Sequence, residues 1–293
     1  MKDLKILLTG GSGFIGKNIV EQLGKKYIFL VPSHNELDLL DAIAVEKYLK
    51  VHPVDVVIHA ANLGGNRAEV DVPNVLERNL RIFFNLVRNA QYFKKFIYLG
   101  SGAQYGKQVP IIQVQEEDLD KHVPADEFGF YKYTCAKYIE ESRINMLNLC
   151  IFGIYGKHEE YAFRFISQSL CRVLFDMPIV INQNVRFDYL YVDDFIHILD
   201  YFIEHETKYR MFNVGTGSSI DLVTIARRIL AVTKKDLPIT VKKPGLNFEY
   251  TCNTDRLHTA MGDFNYTDFD TTIFRLYEWY RVRRNTIQKD LLI

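Results

Sequence analysis

Tyr133 and Lys137 stand four residues apart in Tyr133-Thr134-Cys135-Ala136-Lys137, the one Tyr-x-x-x-Lys in the sequence. On a helix that spacing places a phenol and an ammonium on one face, a turn apart. A free phenol titrates near ~10, far from useful at neutral pH. A neighbouring positive charge favours the phenolate and moves it toward the range where proton transfer is effective. Upstream, Leu99-Gly100-Ser101-Gly102-Ala103-Gln104-Tyr105-Gly106 closes an apolar run. If that run is a strand, the Ser101 hydroxyl emerges at the carboxyl edge of a sheet, where α/β proteins bind their ligands.

A second constellation lies at the start of the chain. Thr9-Gly10-Gly11-Ser12-Gly13-Phe14-Ile15-Gly16 follows a first apolar run and opens a helical pattern, with Gly10, Gly13 and Gly16 at G-x-x-G-x-x-G spacing. The first glycine permits a tight turn, the second lets backbone approach a pyrophosphate, and the third allows close packing of helix on strand. The helix then offers free N–H groups and a partial positive charge to that pyrophosphate. An NAD-binding turn usually has an acid after the second strand for the ribose 2′-hydroxyl. Here the chain reads Val31-Pro32-Ser33-His34-Asn35, with no acid before Glu36. Ser33, His34 and Asn35 can donate to a 2′-phosphate, which favours NADP. No arginine is present for a bidentate clamp, so NAD stays open.

The elements that must hold these groups follow from the pattern. Leu4–Leu8, Tyr27–Leu30, Val54–His59, Phe96–Leu99 and Leu147–Phe152 are uninterrupted apolar runs, as strands covered on both faces require. Between them Phe14–Leu23, Ala42–Lys50, Val75–Gln91 and Tyr131–Asn145 carry helical spacing. That alternation predicts a Rossmann-type, doubly wound α/β fold with a parallel sheet. The dinucleotide domain is expected over 1–155, with returns near 185–214, and a smaller substrate-binding lobe over 156–293. In that second half Phe163–Phe175, Asp193–Glu204, Leu222–Ala231 and Thr272–Arg284 read as helices. Ile179–Ile181, Tyr189–Val192, Met211–Val214 and Ile239–Val241 read as short strands.

Composition narrows the class. Of 293 residues, 36 are Lys or Arg and 36 Asp or Glu, so the formal charge is zero. That gives no general basis for nucleic-acid or anionic-membrane binding, which needs excess cations for phosphate. Cys135, Cys150, Cys171 and Cys252 are scattered and suit buried fillers, not a disulfide frame or a metal site. No apolar run nears the ~18 residues of a membrane span, and the chain enters an apolar strand within four residues. A cytoplasmic protein is expected.

Taken in order, the motifs resemble the extended short-chain dehydrogenase/reductase family, the NAD-dependent epimerases and dehydratases that act mainly on nucleotide sugars. The resemblance runs through the glycine turn, Leu37-Asp38-Leu39-Leu40-Asp41, His59-Ala60-Ala61, Asn79, Ser101 with Tyr105-Gly106, and Tyr133 with Lys137. It continues through Tyr191-Val192-Asp193-Asp194 and Asn213-Val214-Gly215-Thr216-Gly217. It implies that Tyr133 gives or takes the proton at the sugar 4-oxygen. Lys137 holds the nicotinamide ribose and lowers the tyrosine pKa, and Ser101 bonds the reacting oxygen. It also implies Asp38 and Leu39 at the adenine, with Ala60, Ala61, Asn79 and Ile154 lining or supporting the cofactor site. A homodimer built on the third and fourth helices is the family's habit.

Departures from the family pattern narrow the reaction. By the resemblance, dehydratases have a glutamate where this chain has Ala103, and fucose synthase-like epimerase–reductases a cysteine. Alanine can move no C3 or C5 proton, so hydride transfer with Tyr133 remains. The expectation is NAD(P)H-dependent reduction of a 4-keto (6-deoxy) nucleotide sugar at C4. The alternative is a 4-epimerase that retains NAD; a dehydratase acting through Glu116 or Glu159, or a non-catalytic dinucleotide sensor, ranks below both. The family arginine before Tyr191-Val192-Asp193-Asp194 is replaced by Phe187, with Arg186 one place earlier. A one-residue slip turns a side chain to the other strand face. Arg164 and Arg256 are further candidates for the substrate phosphates, alongside Arg186, and His158 is a candidate substrate contact.

Overall fold

The computed structural model describes residues 4–64, 72–262 and 264–292. Its first half is built as the apolar runs require: β1 (Lys5–Thr9), α1 (Phe14–Leu23), β2 (Ile28–Leu30), α2 (Ala42–Val51), β3 (Val56–His59), α3 (Val75–Val87), β4 (Lys95–Ser101), β5 (Ile111–Val114), α4 (Glu127–Glu141) and β6 (Met146–Ile151). The chain continues with β7 (Gly153–Tyr155), α5 (Phe165–Leu174), β8 (Ile179–Asn184), β9 (Arg186–Phe187), β10 (Tyr189–Tyr191), α6 (Val192–Glu204) and β11 (Met211–Val214). It ends with β12 (Ile220–Asp221), α7 (Leu222–Thr233), β13 (Ile239–Leu246), β14 (Tyr250–Cys252), α8 (Asp255–Met261) and α9 (Phe269–Val282).

Six strands form the central sheet in the order β2-β1-β3-β4-β6-β11, every neighbouring pair parallel. The apolar runs have no polar alternation because both faces are covered. Ile6 and Leu8 pack toward α1 and α6 with Ile19, Phe195 and Leu199. Leu7, between them, points the other way, into a cluster with Val45, Phe83 and Ile139 of α2, α3 and α4. β1 lies between β2 and β3, so the winding reverses beside it, and the glycine turn leaves β1 at that switch point.

The second half makes smaller sheets. β8 pairs with β13, β7 with β10, and β12, β9, β14 and β5 form a mixed four-stranded sheet. The helices α5, α7 and α9 close a second core around Tyr155, Leu170, Ile225 and Leu276. β11 belongs to the central sheet although it lies late in the chain, within the 185–214 return.

Several boundaries move, each for a local reason. α4 starts at Glu127, not Tyr131, because Asp126 caps it by accepting from the Gly129 amide at 2.8 Å. α9 starts at Phe269, not Thr272, where Asp268 accepts from the Thr271 amide. β13 runs to Leu246, not Val241; its distal residues are exposed and held by backbone pairing to β8, so no side-chain pattern announces them. β5, β7, β9, β12 and β14 are only two to four residues long and escape a period-2 reading. The four cysteines are free and buried, as fillers should be. Among the described residues no helix is long and apolar enough to cross a membrane.

Candidate active site

At the glycine turn Gly10 adopts φ 74°, and a Cβ there would lie 2.6 Å from the Ala61 amide nitrogen. A Cβ on Gly16 would lie 2.2 Å from the Gly10 carbonyl oxygen, so α1 sits on β1 at glycine-only distance. Gly13 precedes α1, no side chain caps the helix, and Phe14 and Ile15 are half-buried in its first turn. Open amides on an uncapped helix N-terminus fit the pyrophosphate of a dinucleotide. Opposite the turn, Ala60 donates its amide to the Thr9 carbonyl and Ala61 to Thr9 Oγ1. Thr9 Oγ1 also lies 2.7 Å from His59 Nδ1. Burial, then the charge of Lys132, pushes His59 down to about 3, so its ring is neutral. Asn79 donates to the Leu63 carbonyl and accepts from the Leu63 amide, so its amide group supports the loop after β3.

The loop after β2 contains an interaction the sequence did not announce. Ser33 gives both its amide and its hydroxyl to one oxygen of Glu36, each at 2.7 Å. The hydroxyl assigned to a 2′-phosphate is therefore engaged by a carboxylate, while His34 stays exposed. Asp38 accepts from the Leu40 amide, and the Leu39 carbonyl accepts from the Asn85 side-chain amide, which ties the loop ahead of α2 to α3.

β4 delivers Ser101 to the carboxyl edge of the sheet, in register with Ile151 of β6. The half-buried Tyr250 phenol faces the Ser101 side chain, which opposes the upward push that burial gives the phenol. Phe152 packs 4.9 Å from the Tyr250 ring, and a Cβ on Gly102 would lie 2.5 Å from the Tyr250 hydroxyl oxygen. Ala103 is fully buried two residues on. Below Ser101, buried Lys132 donates to the Leu99 carbonyl at 2.8 Å and lies 4.7 Å from the Tyr98 ring centre. Burial lowers it to about 8.

On α4, Tyr133 and Lys137 share a face, as the spacing predicts. Tyr133 donates to Asp120 Oδ1 at 2.9 Å; Lys137 donates to Asp120 Oδ2 at 3.0 Å and to Glu140 at 2.9 Å. Lys137 pulls Tyr133 down, as the resemblance implies, but the net shift is upward. Partial burial and then Asp120 raise Tyr133, and both outweigh the downward pull of the ammonium.

A family model described as "NAD dependent epimerase/dehydratase family" matches residues 6–215, from β1 to the loop after β11. The chain belongs to that family. It is therefore an enzyme that works with a nicotinamide dinucleotide. GDP-L-colitose synthase from Yersinia pseudotuberculosis is 27% identical, over 96% of this chain and 99% of its own. A GDP-mannoheptose C4 reductase from Campylobacter jejuni with NADP bound is similar in structure, with TM-score 0.83, 19% identity, and coverage of 96% and 99%. A UDP-glucose 4-epimerase from Thermotoga maritima, solved with UDP-glucose, gives TM-score 0.82, 21% identity and the same coverage.

Within this epimerase/dehydratase frame the arginines part company. Arg186 is exposed, while Phe187 turns the other way and packs 5.8 Å from the Tyr250 ring, as the one-residue slip implies. Arg256 is held by Met211 O, Glu116, Glu117 and the Tyr209 ring. Arg164, exposed ahead of α5, is the arginine whose charge reaches both Tyr250 and Glu159. Ile154 is half-buried on β7. His158 pairs with Glu21 at 2.6 Å and meets the Trp279 ring, so it ties the loop after β7 to α1 and α9.

The two spare acids are also committed. Glu116 accepts from the Asn213 amide and Glu159 from Ser167. Buried Asp188 accepts from the Thr216 amide at 2.7 Å, the Thr216 hydroxyl at 2.8 Å and the Gly217 amide at 2.8 Å, with Cys252 Sγ at 3.5 Å. Sequence reasoning missed Tyr250, Asp120, Lys132 and Asp188. Tyr250 sits in a strand too short to see, and Asp120 in a loop whose charges look solvated.

Proposed function

We propose that this enzyme reduces a 4-keto (6-deoxy) nucleotide sugar at C4, with NADPH as the reductant. The observation that carries this reading is Ala103. It is fully buried beside Ser101, where carbon-acid chemistry at C3 or C5 would need an acid, base or thiol. Tyr133, Lys137 and Ser101 are then sufficient. Ser101, beside Tyr250, orients the C4 oxygen, and Tyr133 releases its proton to that oxygen as the carbonyl becomes an alcohol. A bound reduced nicotinamide supplies the hydride. Lys137 positions the ribose next to it, and the glycine turn with Ala60, Ala61 and Ile154 seats the dinucleotide. The similarity to a GDP-L-colitose synthase and to a GDP-mannoheptose C4 reductase supports a nucleotide-sugar substrate.

Residues 156–293 form the substrate lobe in this reading, with Arg164 as the phosphate-side cation. A homodimer through α3 and α4 is supported by the exposed rings of Phe130 and Tyr138 on α4.

A retained-NAD 4-epimerase is the second reading. The Glu36 carboxylate on Ser33 favours it, because an acid at that loop suits a free 2′-hydroxyl and repels a 2′-phosphate. Quantifying the dinucleotide released from freshly purified, denatured protein separates the two. Protein free of dinucleotide that oxidises NADPH when given a 4-keto-6-deoxy nucleotide sugar supports the reductase. Near-stoichiometric NAD with interconversion of 4-epimers replaces it.

A further inference from the structure

Asp120 is an exposed residue of the segment between β5 and α4, with 61% of its side chain open to solvent. Each of its carboxylate oxygens nonetheless takes one member of the tyrosine–lysine pair, Oδ1 from Tyr133 and Oδ2 from Lys137. We propose that Asp120 is a positioning residue of this site: its bridging carboxylate fixes Tyr133 beside Lys137 and keeps the resting phenol protonated, the form that ketone reduction requires. This inference rests on the C4-reduction reading and deepens it.

Counting charge around the phenol supports the assignment. The groups that face Tyr133 are Asp120 from the loop before α4, and Lys137 and Glu140 from α4 itself. One ammonium therefore stands against two carboxylates, both of which it contacts. A site meant to withdraw a proton from a sugar hydroxyl needs the phenolate, and a net negative surround opposes it. A site meant to deliver a proton needs the phenol, and a carboxylate accepting its hydrogen bond stabilises that form. The upward shift of Tyr133 has the same direction. Lys137 also has only three N–H donors. With Asp120 and Glu140 taking two of them, one N–H is left for a ribose hydroxyl, and the Tyr133 hydroxyl turns from Asp120 to the substrate oxygen when it gives up its proton.

The test is the titration of Tyr133 itself, read as the phenolate ultraviolet difference between each protein and its own Tyr133→Phe version. In full-length Asp120→Asn the Tyr133 transition falls by about one unit or more. In Asp120→Glu it stays near the parent value, which a merely structural role does not demand. The alkaline limb of the kcat profile for ketone reduction moves down in pH with the Asn variant. A Tyr133 transition unchanged or raised in Asp120→Asn overturns the proposal. Failure of every 4-keto nucleotide sugar to turn over sinks the C4-reduction reading instead, and leaves the ultraviolet titration to decide on Asp120.

Discussion

Ser167 Oγ donates a 2.5 Å hydrogen bond to the Glu159 carboxylate, and both groups are buried where the loop after β7 meets α5. Burial raises Glu159 to about 7, although Ser167 and the Arg164 charge pull it down. The folded protein thus prefers the protonated acid, whereas the unfolded chain ionises near 4.5. Stability is full below the unfolded value and falls as pH rises through 4.5 toward 7. Replacing Glu159 with Gln should remove that slope. Urea denaturation at pH 5 and pH 8 should show the parent losing up to about 3 kcal/mol more than the variant. Parallel losses in the two proteins would refute the assignment.

Tyr133→Phe deletes the proton donor and leaves the glycine turn untouched. Turnover should drop roughly 100- to 10,000-fold, while the dissociation constant for the dinucleotide, measured calorimetrically, stays within a few-fold. A variant with normal turnover would remove Tyr133 from the chemistry.

The three arginines should separate cleanly. Arg164→Ala should raise KM for the nucleotide sugar roughly tenfold with a smaller change in kcat, since it removes a ground-state contact. Arg186→Ala should leave both constants alone, because its side chain is exposed on the strand face opposite Phe187. Arg256→Ala should lower stability by about 2 kcal/mol, since buried Glu116 loses its cation. Steady-state kinetics and denaturant melts on the three proteins check all of this, and an Arg186 effect on KM would reverse the order.

Gly102→Ala places a methyl 2.5 Å from the Tyr250 hydroxyl and 2.7 Å from Phe152. Both rings are packed, so the shift falls on Ser101. We expect a stability loss of about 1–3 kcal/mol and a fall in kcat larger than any change in dinucleotide affinity. Wild-type kcat in this variant would show that the Tyr250–Ser101 contact is dispensable.

The central sheet and the dinucleotide turn were legible because they are repetitive or local. Apolar runs name strands covered on both faces; Gly13 and Gly16 are fixed by contacts within their own βα unit, and Gly10 by its positive φ and by Ala60 and Ala61 after β3. Tyr133 and Lys137 were legible for the same reason, being one turn apart. Tyr250 and Asp120 were not. Each reaches its partner from a sequence distance of 13 or more residues, from a three-residue strand or an irregular loop that carries no period. Phe187 shows the intermediate case: the slip was visible in the sequence, and the partner it packs against was not.

The amides of Thr216 and Gly217 converge on one point, the geometry by which backbone loops commonly seize an anion. Asp188 already fills that point from within. The protein thus carries its own counter-ion for these two amides. The same carboxylate rivets the tip of β11 to the β9–β10 junction and, through Cys252, to β14. Separating these three strand ends would leave a buried carboxylate without its donors, so the corner holds together as one piece.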